Sequence, residues 1–351
     1  MKNILITGGC GFIGSHVSLS FLKNNYNVTI IDSNLNSSPT VVERIKMIRS
    51  LNNEANINNL KFQKGDLRDY EFLTNVFKFS KDKDQRFDCV IHLAGLKSIS
   101  QSLLEPVDYW DVNVYGTINL LKVMQENNCR SLIFSSSAAI YDYSNGINIK
   151  ESFPKKAINP YAKTKLSVEY LLKDLFSINK KEWRIANLRY FNPIGADPSG
   201  LIGEDQLGLS TNIFPQILKV ASKKINKLKI YGNDWPTLDR TCVRDYVHIV
   251  DLALGHFKMY EYIIKNKPNF YELNLGTGIG TSVLELLKTF EKVNNISIPF
   301  EFVSRRVGDK PILVADNSLC KELLNWIPNM SIEDMCRDGW NWYRSKKNLN
   351  K

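Results

Sequence analysis

Apolar and polar positions follow two rhythms along the first 190 residues. Short apolar runs at 3–7, 27–32, 60–65, 88–93, 131–136 and 183–189 have the length of buried strands. Between them, apolar residues recur at three- and four-residue spacing over 12–24, 40–51, 69–79, 108–127 and 160–178, which predicts helices. Strands alternating with helices of this length predict βαβ units and a parallel sheet. Segments 52–59 (NNEANINN) and 80–86 (SKDKDQR) are polar and read as surface loops. Beyond residue 190 the rhythm loosens. Pro193, Pro198, Gly200, Gly203 and Gly208 mark a long loop, and a mixture of short strands and helices follows.

The first strand-to-helix turn carries candidate chemistry. The run Ile4-Leu5-Ile6 leads into Thr7-Gly8-Gly9-Cys10-Gly11-Phe12-Ile13-Gly14. Gly8 suits a tight turn, Gly11 a close approach of a diphosphate to the backbone, and Gly14 close packing of the helix on the sheet. Phe12 and Ile13 open that helix, whose first N–H groups favour an anion. The next strand ends in Asp32, about 20 residues further on, where an acid accepts hydrogen bonds from an adenosine ribose. Its charge repels a 2′-phosphate, so NAD is expected rather than NADP. The expected fold is α/β, with a Rossmann-type doubly wound parallel sheet over 1–190. A smaller mixed α/β substrate domain is expected over 191–351, with segments near 243–260 returning to the first.

Composition narrows the picture. A chain of 351 residues with 43% apolar and 23% charged residues holds two sizeable cores. No apolar run approaches 20 residues, so no membrane span is expected, and a strand begins too early for a signal peptide. Cys10, Cys89, Cys129, Cys242, Cys320 and Cys336 form no CxxC pair, which reads as a reduced cytoplasmic protein without a metal site. The net charge of +10 comes from dispersed lysines. They read as solvated surface rather than a nucleic-acid footprint, with a minority serving an anionic substrate. His16, His92, His248 and His256 lack metal-ligand spacing and read as structural.

The candidate catalytic residues lie further along. Ser135, Ser136 and Ser137 follow the run Leu132-Ile133-Phe134, which places them at the carboxyl end of a parallel strand, where open α/β sheets bind ligands. Asn159-Pro160 suits an N-cap and first helical residue. Tyr161 and Lys165 then share one helix face, so the ammonium is expected to lower the phenol's pKa and make it a base near neutral pH.

With these residues in place, the chain resembles the extended short-chain dehydrogenases/reductases, and within them the UDP-glucose 4-epimerase family. The resemblance runs from Met1 to about Trp342. It is carried by TGGCGFIGSH (7–16), GD (65–66), HLAGLKS (92–98), NVYGT (113–117), FSSSAAIY (134–141), ESFP (151–154), NPYAKTK (159–165), LRYFNPIGADPSGLIGED (188–205), VRDYVHIVDLA (243–253), NLGTG (274–278) and RRVGD (305–309). It implies that Tyr161 is the acid/base on the sugar 4-hydroxyl, that Lys165 tunes it and holds the nicotinamide ribose, and that Ser137 bonds the same hydroxyl. Held NAD⁺ takes a hydride from C4 and returns it to the other face after the keto sugar rotates. Asp66 and Leu67 are implied beside the adenine; Asp32, Asn36 and Ser37 beside its ribose; Leu93, Ala94, Gly95, Asn113 and Tyr190 along the cofactor. Lys97 is implied at the nucleotide ribose or phosphate. On the substrate side, Asn192, Asn212, Arg244, Arg306 and Asp309 are implied around the UDP, Tyr231 against the uracil and Leu313 beside the sugar. A homodimer is implied by the family alone.

Some positions depart from that pattern. Asp142 and Ala162 stand where glycine is usual, as do Arg240 and Cys242 ahead of VRD. Leu313 is intermediate in bulk, which leaves N-acetylated UDP-sugars open, and UDP-glucuronate is a further alternative. A 4,6-dehydratase needs an Asp-Glu pair after the strand-end serine, whereas Ala138 and Ala139 stand there. A non-catalytic NAD-binding module is disfavoured because Ser137, Tyr161 and Lys165 are all retained. The second glycine cluster, Gly276 to Gly280, reads as a structural turn.

Overall fold

The computed structural model describes residues 2–52, 57–142, 148–205, 212–306 and 308–349. Gly208 and part of the polar 52–59 segment lie outside them. The first part of the chain runs β1 (Asn3–Thr7), α1 (Phe12–Lys23), β2 (Asn27–Asp32), α2 (Thr40–Leu51), β3 (Leu60–Lys64), α3 (Tyr70–Asp82), β4 (Cys89–His92), α4 (Ile99–Leu104), α5 (Pro106–Trp110), α6 (Gly116–Glu126), β5 (Ser131–Ser137), α7 (Pro160–Ile178) and β6 (Arg184–Tyr190). The second part runs β7 (Asn192–Ile194), α8 (Ile213–Ala221), β8 (Leu228–Tyr231), β9 (Val243–His248), α9 (Ile249–Lys265), β10 (Phe270–Leu275), β11 (Gly280–Ser282), α10 (Val283–Asn294), β12 (Phe300–Val303), β13 (Ile312–Leu313), α11 (Ser318–Leu324) and α12 (Ile332–Leu349).

Seven strands form one parallel sheet in the order β10-β6-β5-β4-β1-β2-β3. Successive side chains of a strand point to opposite faces, so β1 serves two cores. Ile4 and Ile6 pack with Val17 and Phe21 of α1 and with Phe257 and Tyr260 of α9. Leu5 packs on the other face with Val90, Leu120, Leu132 and Val168. The Phe21 ring meets Phe257 and Tyr260 edge-on at 5.3 Å each. Helix α9 and strand β10 therefore join the layers built by the first 190 residues. A separate core of Ile194, Phe214, Ile217, Tyr246, Leu286 and Phe290 lies under β9, α8 and α10. Strand β9 pairs with β7, β11 and β13, and β12 pairs with β8. No described helix is long and apolar enough to cross a membrane.

The six predicted strands and the helices over 12–24, 40–51 and 160–178 agree with the structure to within a residue or two at their ends. Two expectations need correction. The helix expected over 108–127 is three pieces: α5, a π turn over Asp111–Tyr115, and α6. Its cause is visible at Asn113, whose side chain is drawn out of the helix to both backbone groups of Leu96. The polar 80–86 segment is part helix, because α3 runs on to Asp82.

Candidate active site

The glycine turn has the shape the sequence calls for. Gly8 sits at φ +71°, and a Cβ there would lie 2.6 Å from the Ala94 nitrogen. A Cβ on Gly14 would strike the Gly8 carbonyl, so a side chain would push α1 off the sheet. Gly11 is the N-cap of α1 and brings no side chain to the first turn, which leaves that turn open to an anion. Asp32 closes the other side. Its Oδ2 accepts from the Cys10 N–H (2.9 Å) and its Oδ1 from the Asn34 N–H (2.9 Å) and the Ser37 hydroxyl (2.8 Å). Three of its roughly four acceptor positions are filled, and one remains for a ribose hydroxyl. Gly8, Asp32, Asn36, Asp66, Leu67, Leu93, Ala94 and Gly95 line one cleft at the carboxyl ends of β1, β2 and β4. The Arg68 guanidinium holds the Asp66 carboxyl below the usual carboxylate range. The residues present therefore fit an adenine dinucleotide.

Other expected cofactor residues stand beside this cleft with their polar groups engaged. The Lys97 ammonium donates to Glu204 at 2.9 Å and lies 6.0 Å from the centre of the Phe12 ring. The Asn113 amide bonds Leu96 and donates to the Thr164 hydroxyl at 3.1 Å, so it ties the 93–97 loop to α7. Tyr190 pairs in register with Ser137, and its hydroxyl lies 2.5 Å from His256 Nε2.

Helix α7 brings the catalytic candidates together at the end of β5. Asn159 Oδ1 accepts from the Ala162 N–H at 2.8 Å, and Pro160 fills the first helical position. Tyr161 falls in the first turn, close enough to Ser137 for that hydroxyl to act on its phenol. One turn on, the Lys165 ammonium donates to the Ser135 carbonyl at 2.8 Å, 4.9 Å from the centre of the Phe134 ring. Burial pulls the Lys165 amine down to about 8. The electrostatics differ from the expectation that Lys165 lowers the phenol. Burial pushes Tyr161 above its ordinary value, and the group that pulls it back is the Ser137 hydroxyl.

In the second part of the chain, β9 and β13 pair Arg244 with Leu313. Arg244 donates to the carbonyls of Val243 and Lys310 (2.9 Å each) and lies 3.6 Å from the Asp309 carboxylate. Tyr231 is less free than a uracil platform requires, because the Arg306 guanidinium is stacked on it at 3.8 Å. Arg305 likewise covers Trp235 at 4.0 Å and bonds Asp234 at 2.7 Å, so neither arginine is a simple solvated charge. Asn192 donates to the Asp245 carbonyl (3.2 Å), and Asn212 is the exposed N-cap of α8. The 276–280 glycine turn spends N–H groups of Thr277 and Gly278 on the Asp245 carboxylate.

Sequence reasoning passed over Glu204, which pairs with Lys97, and over Glu169 and Arg189, which bond to each other and, through Glu169, to Ser136. The available signal was Arg189, a charge inside the apolar run of β6.

A dinucleotide cleft beside a serine–tyrosine–lysine cluster, on a doubly wound parallel sheet, defines an enzyme of the extended short-chain dehydrogenase/reductase class. The model of the family described as GDP-mannose 4,6 dehydratase matches residues 5–339. A UDP-glucose 4-epimerase of Cyamopsis tetragonoloba is 42% identical over 97% of this chain and 95% of its own. Among solved structures, a UDP-glucose 4-epimerase from Stenotrophomonas maltophila with bound NAD and formylated UDP-arabinopyranose superposes with a TM-score of 0.93 at 38% identity, covering 99% of this chain and 100% of that one. One from Bifidobacterium longum, in complex with NAD⁺ and UDP, gives 0.90 at 39% identity, covering 99% of each. The chain belongs to the UDP-glucose 4-epimerase family.

Proposed function

We infer that this protein is an NAD-dependent isomerase that interconverts UDP-galactose and UDP-glucose. The observation that carries the reading is the placement of Ser137, Tyr161 and Lys165 together at the end of β5, beside the cleft headed by Gly8 and Asp32. NAD, when bound, supplies a hydride acceptor and donor for C4 of the sugar. Its adenosine ribose falls to Asp32, with Asn36 and Ser37 alongside, and its adenine to Asp66 and Leu67. Its diphosphate falls to Gly11, Phe12, Ile13 and Gly14, and the remainder runs past Leu93, Ala94, Gly95, Asn113 and Tyr190.

The chain's own groups handle the proton and the substrate. Tyr161 removes the proton of the sugar 4-hydroxyl and restores it, and the Ser137 hydroxyl steadies the phenolate. Lys165, pinned to the Ser135 carbonyl, keeps a positive charge near the phenol below about pH 8. Arg244 and Arg306 pair with the diphosphate, as guanidinium forks do. Asp309, Asn192, Asn212 and Lys97 bond the nucleotide, Tyr231 borders the base and Leu313 borders the sugar.

The cofactor unit is proposed as residues 1–190 with α9 and β10, and the remainder as the UDP-sugar unit. A homodimer is proposed because Leu104 and Val107, 82% and 75% exposed, stand with exposed Leu103 and Trp110 on α4 and α5. Six free, buried cysteines support a reducing, cytoplasmic setting.

The test is an NMR assay of purified protein with UDP-galactose, repeated with UDP-N-acetylgalactosamine and UDP-galacturonate, with Tyr161→Phe as control. Formation of UDP-glucose is expected, with a loss of roughly 10²–10⁴ in the control. No conversion of UDP-galactose with NAD⁺ present overturns the reading. Conversion of the N-acetylated sugar would mark Leu313 as a permissive neighbour.

A further inference from the structure

We propose that Glu169 and Arg189 are a buried positioning pair that sets helix α7 against strand β5, and so fixes Tyr161 and Lys165 relative to Ser137. The proposal rests on the epimerase reading of that site. Three consecutive turns of α7 meet three consecutive serines, and two of those turns are fastened to them by hydrogen bonds. Tyr161 is near enough to Ser137 for that hydroxyl to act on its phenol, Lys165 donates to the Ser135 carbonyl at 2.8 Å, and Glu169 Oε1 accepts from the Ser136 hydroxyl at 2.6 Å. The first two contacts belong to reacting groups. The third belongs to a residue with no place in the chemistry, yet Glu169 is 2% exposed.

Glu169 is held from the sheet side as well. Arg189 stands opposite Ser136 in the β5–β6 register. Its Nε donates to Glu169 Oε1 at 2.9 Å and its Nη2 to Oε2 at 2.7 Å, a forked pair with a fixed geometry. Nη1 donates to the Tyr141 hydroxyl (2.9 Å) and the Glu151 carbonyl (3.1 Å), and the Tyr141 hydroxyl donates to Asn274 Oδ1 (2.7 Å). Glu272 pairs with Arg189 and, at 2.5 Å, with Lys155, whose ammonium is 3.5 Å from Glu169. Two cations and two anions thus balance in one cluster. It joins α7, β5, β6 and β10 to the segments that carry Tyr141 and Glu151.

Stability alone is a poor reason for such a cluster. Taking ion pairs out of water costs about as much as their attraction returns, and apolar replacements are often as stable. What apolar packing lacks is direction. A forked guanidinium–carboxylate bond allows one helix rotation and one height, and an error of about 1 Å at the reacting atoms is worth orders of magnitude in rate. The dependence of Tyr161 on Ser137 gives the mechanism. If α7 shifts, the phenol moves away from the Ser137 hydroxyl that offsets its burial, and a larger share stays protonated.

Two variants test this, both in the full chain with NAD⁺. Ser136→Ala removes one hydrogen bond and leaves the ion pair whole, so it is expected to fold. Glu169→Gln breaks the pair and gives the larger effect if it folds. Expected are a kcat lower by about 3–10-fold for Ser136→Ala and about 10–100-fold for Glu169→Gln, with KM for UDP-galactose within about threefold. The acid limb of the kcat–pH profile should move to higher pH. Titration of the Tyr161 phenol by its ultraviolet band, with Tyr161→Phe as blank, needs no turnover and should move upward in Ser136→Ala. A merely structural pair would lower the melting temperature and leave the profile and the titration in place, which overturns the proposal. An unmoved titration with kcat within twofold of the parent overturns it too. If the parent fails to convert UDP-galactose, the epimerase reading falls, and the titration still decides whether the pair positions the phenol.

Discussion

The guanidinium carbon of Arg306 lies 3.8 Å from the centre of the Tyr231 ring. A cation over an aromatic face is worth about 0.5–2 kcal/mol, according to how dry the site is. Here it also fixes direction. The Arg306 carbonyl accepts from the Asp309 N–H at 3.2 Å, and the Asp309 carboxylate faces Arg244. One ring on β8 thereby sets the charges assigned to the UDP. Tyr231→Ala is expected to raise KM for UDP-galactose about 5–30-fold with kcat within about threefold, and Tyr231→Phe to retain most of the affinity. Steady-state kinetics check this, and a fall in kcat at unchanged KM would count against it.

Lys165 carries a cost that its function requires. The residue is 5% exposed, and burial pulls its amine from 10.5 to about 8. Between those values the unfolded chain binds more protons than the folded one, so this group makes stability rise with pH across the window. At pH 7 the buried charge costs about 3 kcal/mol. Lys165→Met removes that cost but leaves the Ser135 carbonyl without its donor, a loss of about 1–2 kcal/mol. The cofactor-free variant should therefore be about 1–2 kcal/mol more stable at pH 7, with the gain gone by about pH 10.5, and almost inactive. Thermal melts from neutral to alkaline pH check the sign; a lower melting temperature at pH 7 contradicts it.

The first half of the fold was legible because its signals are local. Gly8 and Gly14 mark a turn that excludes side chains, Asp32 ends a strand, and Asn159-Pro160 opens a helix. The π turn at Asn113 was not, since its cause is a hydrogen bond to Leu96 in another loop. The addition of β10 to the sheet was equally hidden, because an edge strand from the second half carries no mark of its partner. Tyr161, Lys165 and Ser137 could be named from spacing. Their electrostatics could not, because desolvation and the Ser137 hydroxyl act through burial and contact rather than sequence. Glu169 was silent for the same reason, and Arg189 showed only as a charge inside an apolar run, with nothing to name its partner until the fold brings the two to 2.7 Å.

Arg240 occupies a backbone conformation that explains why glycine is usual there. Its φ is +64°, in the left-handed region that costs an L residue about 1 kcal/mol or more. Its side chain is exposed, and the turn is held by the backbone: the Arg240 N–H donates to the Thr237 carbonyl, and its carbonyl accepts from the Trp235 N–H, at 3.2 Å each. Arg240→Gly keeps both bonds and relieves the strain, less the extra entropy of an unfolded glycine. A gain of about 0.5–1 kcal/mol is expected in denaturant melts, with activity within twofold. Cys242 differs: it is buried and not among the residues at positive φ, so Cys242→Gly should destabilise.

Asp245 is the buried acceptor that shapes the second glycine turn. Its Oδ1 accepts from the Thr277 N–H (2.8 Å) and hydroxyl (2.7 Å), and its Oδ2 from the N–H groups of Gly278 (2.9 Å) and Ala315 (3.1 Å). Asp245→Asn is nearly isosteric, yet in either orientation it sets an NH₂ group against two donors. Leaving those donors unpaired in a buried site is expected to cost about 2–4 kcal/mol. The damage should reach the substrate side, since Asp245 neighbours Arg244 on β9 and Ala315 lies two residues past Leu313. The prediction is a lower denaturation midpoint together with a raised KM for UDP-galactose. Equal stability would mean that the Thr277 and Gly278 N–H groups find other partners, and would return the 276–280 turn to consideration as an anion-binding loop.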